Sequence, residues 1–141
     1  MILSSRAIYK RLEKGDLVIE PHAGTSQQPA SYDLRSGSDT VIKKGESVLV
    51  HSIEQVGFPA DIAATLRCRS SYARRGLLIG GGFVDPGFRG QLTLALFNGG
   101  REDVLLRKGD RVVQMILHEV SDGDELYGGR YQDSEGVVHA R

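Results

Sequence analysis

The stretch Val84-Asp85-Pro86-Gly87-Phe88-Arg89-Gly90-Gln91-Leu92-Thr93-Leu94-Ala95-Leu96-Phe97-Asn98 joins an acidic Pro-Gly turn to an alternating run. From Gln91 to Phe97 the period is two, which predicts a β-strand rather than a helix. The same period recurs outward in both directions. Leu17-Val18-Ile19, Thr40-Val41-Ile42, Ser47 to His51, Ile62 to Arg69, Val104-Leu105-Leu106 and Arg111 to His118 are further short strands. Between them lie turns built on Gly, Asp, Pro and Lys-Gly, such as Lys43-Lys44-Gly45-Glu46 and Arg107-Lys108-Gly109-Asp110. Many short strands at close, even spacing predict a mainly β, jelly-roll type of barrel or sandwich, and 18 glycines fit its tight turns. One helix is expected, from Arg6 to Glu13, capped by Ser4 or Ser5 and stopped by Gly15. Residues 1–141 contain no repeat and no linker, so one domain is expected.

Composition removes several function classes. Lys plus Arg and Asp plus Glu both number 18, so the basic excess of a general nucleic-acid binder is missing. The single cysteine, Cys68, excludes an internal disulfide framework and a cysteine-based zinc site. It reads as a half-buried strand residue. No apolar run approaches the ~20 residues of a membrane helix and no signal-peptide pattern opens the chain, so a soluble cytoplasmic protein is expected.

Four segments place polar or permissive residues where a strand prefers apolar ones. In Ala30 to Arg35, Asp33 suits a turn, a partner arginine or a metal-bound water. In Arg67 to Gly76, four arginines and two serines suit an anion, because guanidinium forks match phosphate oxygens; the plain alternative is a solvated basic turn. In Leu78 to Gly90, three consecutive glycines let a flat ligand approach the backbone. Phe83 and Phe88 there can wall a pocket, and Asp85 suits a general base or simply a turn. In Lys108 to Ile116, Gln114 interrupts an apolar strand and needs partners from a ligand or a neighbouring backbone.

In order along the chain, Arg69-Ser70-Ser71-Tyr72-Ala73-Arg74, Val84-Asp85-Pro86-Gly87-Phe88-Arg89-Gly90 and Gly109-Asp110-Arg111-Val112-Val113-Gln114 resemble the motifs of the dUTPase and dCTP deaminase superfamily. The opening Met1-Ile2-Leu3-Ser4, Leu17-Val18-Ile19-Glu20-Pro21, Pro29 to Arg35 and the tail Gly129-Arg130-Tyr131-Gln132 look like the deaminase branch. The resemblance implies a distorted jelly-roll barrel and a homotrimer with active sites between subunits. It also implies a pyrimidine deoxynucleoside triphosphate bound with Mg²⁺.

Within that superfamily, the resemblance separates two chemistries. Deamination of dCTP uses a glutamate ten residues beyond the turn aspartate as proton shuttle; here that position is Ala95, and a methyl group shuttles no proton. Glu102 and Asp103 lie in the following turn. The residues matching dUTP hydrolysis are present. By resemblance Asp85 activates the water that attacks the α-phosphate, and Arg69, Ser70, Ser71 and Arg74 hold the phosphates. Gly81, Gly82, Phe83 and Val84 meet the uracil, and Gln114 and Tyr131 also touch the nucleotide. Asp33 reaches triphosphate-bound Mg²⁺ through water. The C-terminal Gly-Phe-Gly arm of dUTPases is missing, and Arg130 and Ser134 depart from the deaminase tail. The expected activity is dUTP diphosphatase. The alternatives are a dCTP deaminase and a non-catalytic nucleotide-sensing or protein-binding relative.

Overall fold

The computed structural model describes residues 1–141. Helix α1 (Ser5–Lys14) begins where the Ser4 side chain accepts the Ala7 N–H at 3.2 Å, and ends where Gly15 turns left-handed at φ 87°. Ile8 is its fully buried residue.

Eleven strands form three antiparallel sheets. One has the order β1 (Val18–Glu20), β5 (Ser47–Gly57), β9 (Arg89–Asn98), β7 (Leu77–Gly80). The second has the order β2 (Gln27–Gln28), β3 (Ser31–Arg35), β11 (Arg111–Glu119), β6 (Ile62–Cys68), β8 (Phe83–Val84). The third is a ribbon of β10 (Val104–Leu106) on β4 (Thr40–Ile42). The expected helix and seven strands are therefore present, and the architecture is mainly β and of jelly-roll type. No hydrogen-bonded ladder joins the sheets, so the barrel is not closed. Three features differ from the sequence reading. Ala30 to Arg35 contains a true strand, β3; the glycine segment contributes β7 and β8; and the arginine–serine segment holds a one-turn helix, α2 (Ser70–Ala73). No helix is long and apolar enough to cross a membrane.

Period-two alternation decides which side chains meet between the sheets. On β9, Leu92, Leu94 and Leu96 point inward and are buried, as are Val113, Met115 and Leu117 on β11. Each fully buried side chain of this kind contributes about 2 kcal/mol before entropy is counted. Cys68 ends β6 half-buried, and burial pushes its thiol up to about 11, so it stays protonated and packs as a small apolar group.

A polar knot sits inside this apolar layer. Glu54 on β5 is fully buried and accepts the Tyr32 hydroxyl at 2.9 Å, the Arg35 backbone N–H at 3.0 Å and Arg35 Nε at 2.7 Å. Tyr32 and Arg35 belong to β3, so the carboxylate ties one sheet to the other. Burial pushes the Tyr32 hydroxyl up to about 12, which keeps it a donor. Beside it, the β5–β9 register slips between His51 and Gln55, and there the Ser52 hydroxyl accepts the Leu92 N–H at 3.0 Å. Glu54→Ala leaves three donors without their acceptor and should lower unfolding free energy by roughly 3 kcal/mol. Glu54→Gln should lose less. Urea unfolding checks both, and an alanine variant as stable as the parent would refute the inter-sheet tie.

Candidate active site

Asp85 stands in the turn after β8, shaped by the backbone beneath it. Gly87 adopts φ 85°, and a Cβ there would lie 2.7 Å from the Tyr127 N and the Leu126 Cβ. Only glycine lets the turn dock on the 126–127 segment, where the Tyr127 N–H also donates to the Pro86 carbonyl at 2.7 Å. The Asp85 side chain is exposed and makes no hydrogen bond or ion pair within the chain. It edges a cavity of about 460 Å³.

Three walls complete that cavity. The first is β8 and the connection leading into it from β7, with Gly81, Phe83 and Val84. Gly82 is pinned to β6, where the Leu66 N–H donates to its carbonyl at 2.7 Å. The second wall is the outer face of β9, where the pleat places Gln91, Thr93 and Ala95, with Leu49 opposite Ala95 on β5. The third is the C-terminal segment. Its Gly136 N–H donates to Gln91 Oε1 at 2.6 Å and its Val138 N–H to Thr93 Oγ1 at 3.0 Å. Ser134 forms a parallel bridge with Gly90. Tyr131 lines the same space, and its hydroxyl accepts the Arg141 N–H at 3.4 Å. Asp85 is the only carboxylate on this lining. Glu102 and Asp103 lie elsewhere; the Asp103 carboxylate accepts the Lys44 N–H at 3.0 Å.

A second cavity, of about 470 Å³, gathers Arg69, Ser70, Gln114, Ser31 and Asp33 on the outer face of the five-stranded sheet. Asp33 is buried, its carboxylate 3.0 Å from Arg69 Nε and 3.6 Å from Arg111 Nη1. Burial pushes the Asp33 carboxyl above its usual range, and the two guanidinium groups pull it part of the way back. Gln114 donates from Nε2 to Ser31 Oγ at 3.1 Å, which fixes the amide so that Oε1 is the atom left free. Thus β3 orients both the arginine and the glutamine. No group of three His, Cys, Asp or Glu side chains in the chain is arranged to hold a metal ion.

The two cavities share no lining residue. The structure brings Asp85, Gly81, Phe83, Val84 and Tyr131 together, and separately brings Arg69, Ser70, Gln114 and Asp33 together. Ser71 is exposed beyond both, and Arg74 lines a third cavity. Gln91, Thr93, Tyr127 and Val138 were missed. The strand period already put Gln91 and Thr93 on the face of Ala95, whereas Val138 and Tyr127 arrive through contacts of their backbone N–H groups that carry no sequence signal.

Comparison with known proteins shows the family and the fold. Residues 36–120 match the family described as dCTP deaminase-like. The whole chain is 33% identical to a dUMP-forming dCTP deaminase of Aquifex aeolicus, covering 94% of it. Over 96% of its length it is 36% identical to a dCTP deaminase of Thermococcus sibiricus, also covering 94% of that protein. The fold is similar to that of the 2'-deoxycytidine 5'-triphosphate deaminase of Agrobacterium tumefaciens, with TM-score 0.70 and 22% identity over 82% of this chain. The chain spans 47% of that solved enzyme's length. EIAV dUTPase is similar as well, with TM-score 0.63 and 22% identity, over 81% of this chain and 92% of that one. A family match over more than half the chain, with relatives above 30% identity along nearly all of it, places this protein in the dCTP deaminase-like family of the dUTPase and dCTP deaminase superfamily.

Proposed function

We propose that the protein is a dUTP diphosphatase, splitting dUTP into dUMP and pyrophosphate. The observation that carries the reading is the pairing of Asp85 with Ala95 across one cavity: one free carboxylate, and no second acid to relay a proton at the base. In the proposed step Asp85 takes a proton from a water whose oxygen bonds to the α-phosphorus. The α–β bridging P–O bond breaks and pyrophosphate leaves. Arg69 and Ser70 stabilise the charge that develops on the departing oxygens, and Gln114 Oε1 accepts from the nucleotide.

In one chain Asp85 and Arg69 line different cavities, so the reading needs a second copy to bring them to one nucleotide. The outer face of the four-stranded sheet supports such an assembly. Leu49, Leu78 and Phe97 are 38%, 58% and 42% exposed there, Leu78 pairs with Phe97, and Leu49 lines the Asp85 cavity. A homotrimer with sites between subunits is the assembly proposed. Mg²⁺ fits as a chelate of the triphosphate rather than as a resident ion, since Asp33 is committed to Arg69 and Arg111 and would reach it only through water. When bound, Mg²⁺ would supply charge neutralisation on the phosphates.

A second reading, dCTP deaminase, is favoured by the names of the relatives at 33–36% identity. It requires a proton relay at the base that the Asp85 cavity does not hold in any residue but Asp85 itself.

Purified protein with Mg²⁺ and dUTP should release pyrophosphate, and with dCTP should release no ammonia; ammonia from dCTP would replace the first reading by the second. Asp85→Asn should slow pyrophosphate release by roughly 10²- to 10⁴-fold while nucleotide still binds. Asp33→Asn frees Arg69 and should raise KM about tenfold with kcat little changed; a kcat loss as large as that of Asp85→Asn would place Asp33 among the reacting groups. Mixing unfolded Asp85→Asn and Arg69→Ala chains and refolding them together should restore part of the activity. Mixed assemblies that stay as inactive as either parent would argue that one chain holds the whole site.

A further inference from the structure

Arg74 belongs to the arginine–serine segment but lines a different cavity from Arg69 and Ser70. With Arg75 and Arg101 it lines a cavity of about 360 Å³ that contains no apolar residue. We propose that this cavity is a separate site for a phosphate-bearing anion.

The scaffold is built rather than incidental. Arg74 and Arg75 follow α2, and Arg101 lies in the turn between β9 and β10. The two segments are locked together by the Gly99 N–H donating to the Gly76 carbonyl at 2.9 Å. Asn98 holds the second segment from beneath and is fully buried. Its Nδ2 donates to the Ile42 carbonyl at 2.9 Å and the Glu102 carbonyl at 2.8 Å, and its Oδ1 accepts the Gly100 N–H at 2.9 Å. The Gly100 backbone lies so close to the Arg75 carbonyl that any Cβ there would collide with it. The backbone bearing the three arginines is therefore fixed before any ligand arrives, which lowers the ordering cost of binding.

The charge on this scaffold is unanswered. None of the chain's ion pairs involves Arg74, Arg75 or Arg101. Their one side-chain bond inside the chain is from Arg75 Nη2 to the Asp103 carbonyl, at 3.4 Å. Glu102 lines the same cavity yet pairs with none of them, and the Asp103 carboxylate is turned to the Lys44 N–H. Elsewhere in the chain arginines do find acids: Arg11 with Asp16 and Asp61, Arg35 with Glu54, Arg69 with Asp33. Three forks on one rigid rim exceed what a single carboxylate can satisfy. They match a group with several oxygens on different faces, as a phosphate or pyrophosphate has. The source is either free pyrophosphate or the phosphate tail of a nucleotide, and this site does not depend on which reaction Asp85 serves.

Titration of the full-length protein with inorganic pyrophosphate, and separately with a non-hydrolysable dUTP analogue, tests the site by amide NMR. The Gly76, Gly99 and Gly100 resonances should shift saturably with at least one of the two, and the one that saturates identifies the source. In Arg75→Ala/Arg101→Ala, whose side chains are exposed, affinity read at those resonances should fall about tenfold, a change of 1.4 kcal/mol. Arg75→Lys/Arg101→Lys should stay weaker than the parent, because ammonium groups lack the fork. Linear, non-saturating shifts with both ligands, or equal affinity in the alanine variant, would overturn the site. Equal affinity in the lysine variant would overturn its geometry.

Discussion

The pleat of β9 sets the position of nearly everything else. Leu92, Leu94 and Leu96 must face the core, and a slip of one residue would expose all three while burying Gln91, Thr93 and Phe97. The ladders to β5 and β7 hold that register from both sides, with Ala95 opposite Leu49 on one and Gly80 on the other. Because the inner face is fixed by burial, the outer face has no freedom of placement. Gln91, Thr93 and Ala95 are delivered to the cavity as a consequence of core packing, and Asp85 is held at its edge by the turn that leads into the same strand.

The polar interior has a related logic. A carboxylate such as Glu54 is tolerated between two sheets only because Tyr32 and Arg35 bring donors from the opposite layer. On the outside of the same strand β3, Asp33 and Ser31 steer Arg69 and Gln114. One short strand thus presents its alternate side chains to two different tasks: Tyr32 inward to the tie between sheets, Ser31 and Asp33 outward to the polar cavity. The Asp85 cavity is built on β9 and on β8 at one edge of the five-stranded sheet, whereas the polar cavity is built on β3 and β11, so a single copy keeps the two sets of residues apart.

Helix α1 and the longer strands were legible because their signals are local: a serine cap and a glycine stop, or alternating leucines that need only a core to face. Strand β3 was not, since Ser31, Asp33 and Arg35 look like surface residues until Arg69, Arg111 and Glu54 arrive from distant strands. Strands β7 and β8 were hidden by glycines, whose pairing is set by their neighbours and not by their own side chains. The motif residues were readable one by one, yet their division between cavities was not, because the chain order of motifs says nothing about which sheet face each occupies. Arg74 is the sharpest case. It sits five residues from Arg69, and the turn of α2 sends it to a different cavity.

Position 95 is where fold and chemistry separate most cleanly. The backbone of Ala95 is held by ladders on both sides, so the strand's geometry does not depend on its side chain. Its Cβ faces the cavity, with Leu49 beside it and no side chain on Gly80. The core beneath, at Leu94 and Leu96, does not register what stands there. Such a site can gain or lose a carboxylate at little cost to stability, because a half-exposed outward position carries neither core packing nor a buried partner. The cavity would change from one carboxylate to two, and two acids across a small apolar space move each other's proton affinities as a single methyl never can. A jelly roll of this kind can therefore keep its register, its turn aspartate and its phosphate-facing arginine while the reaction at the base is decided by one outward residue of β9.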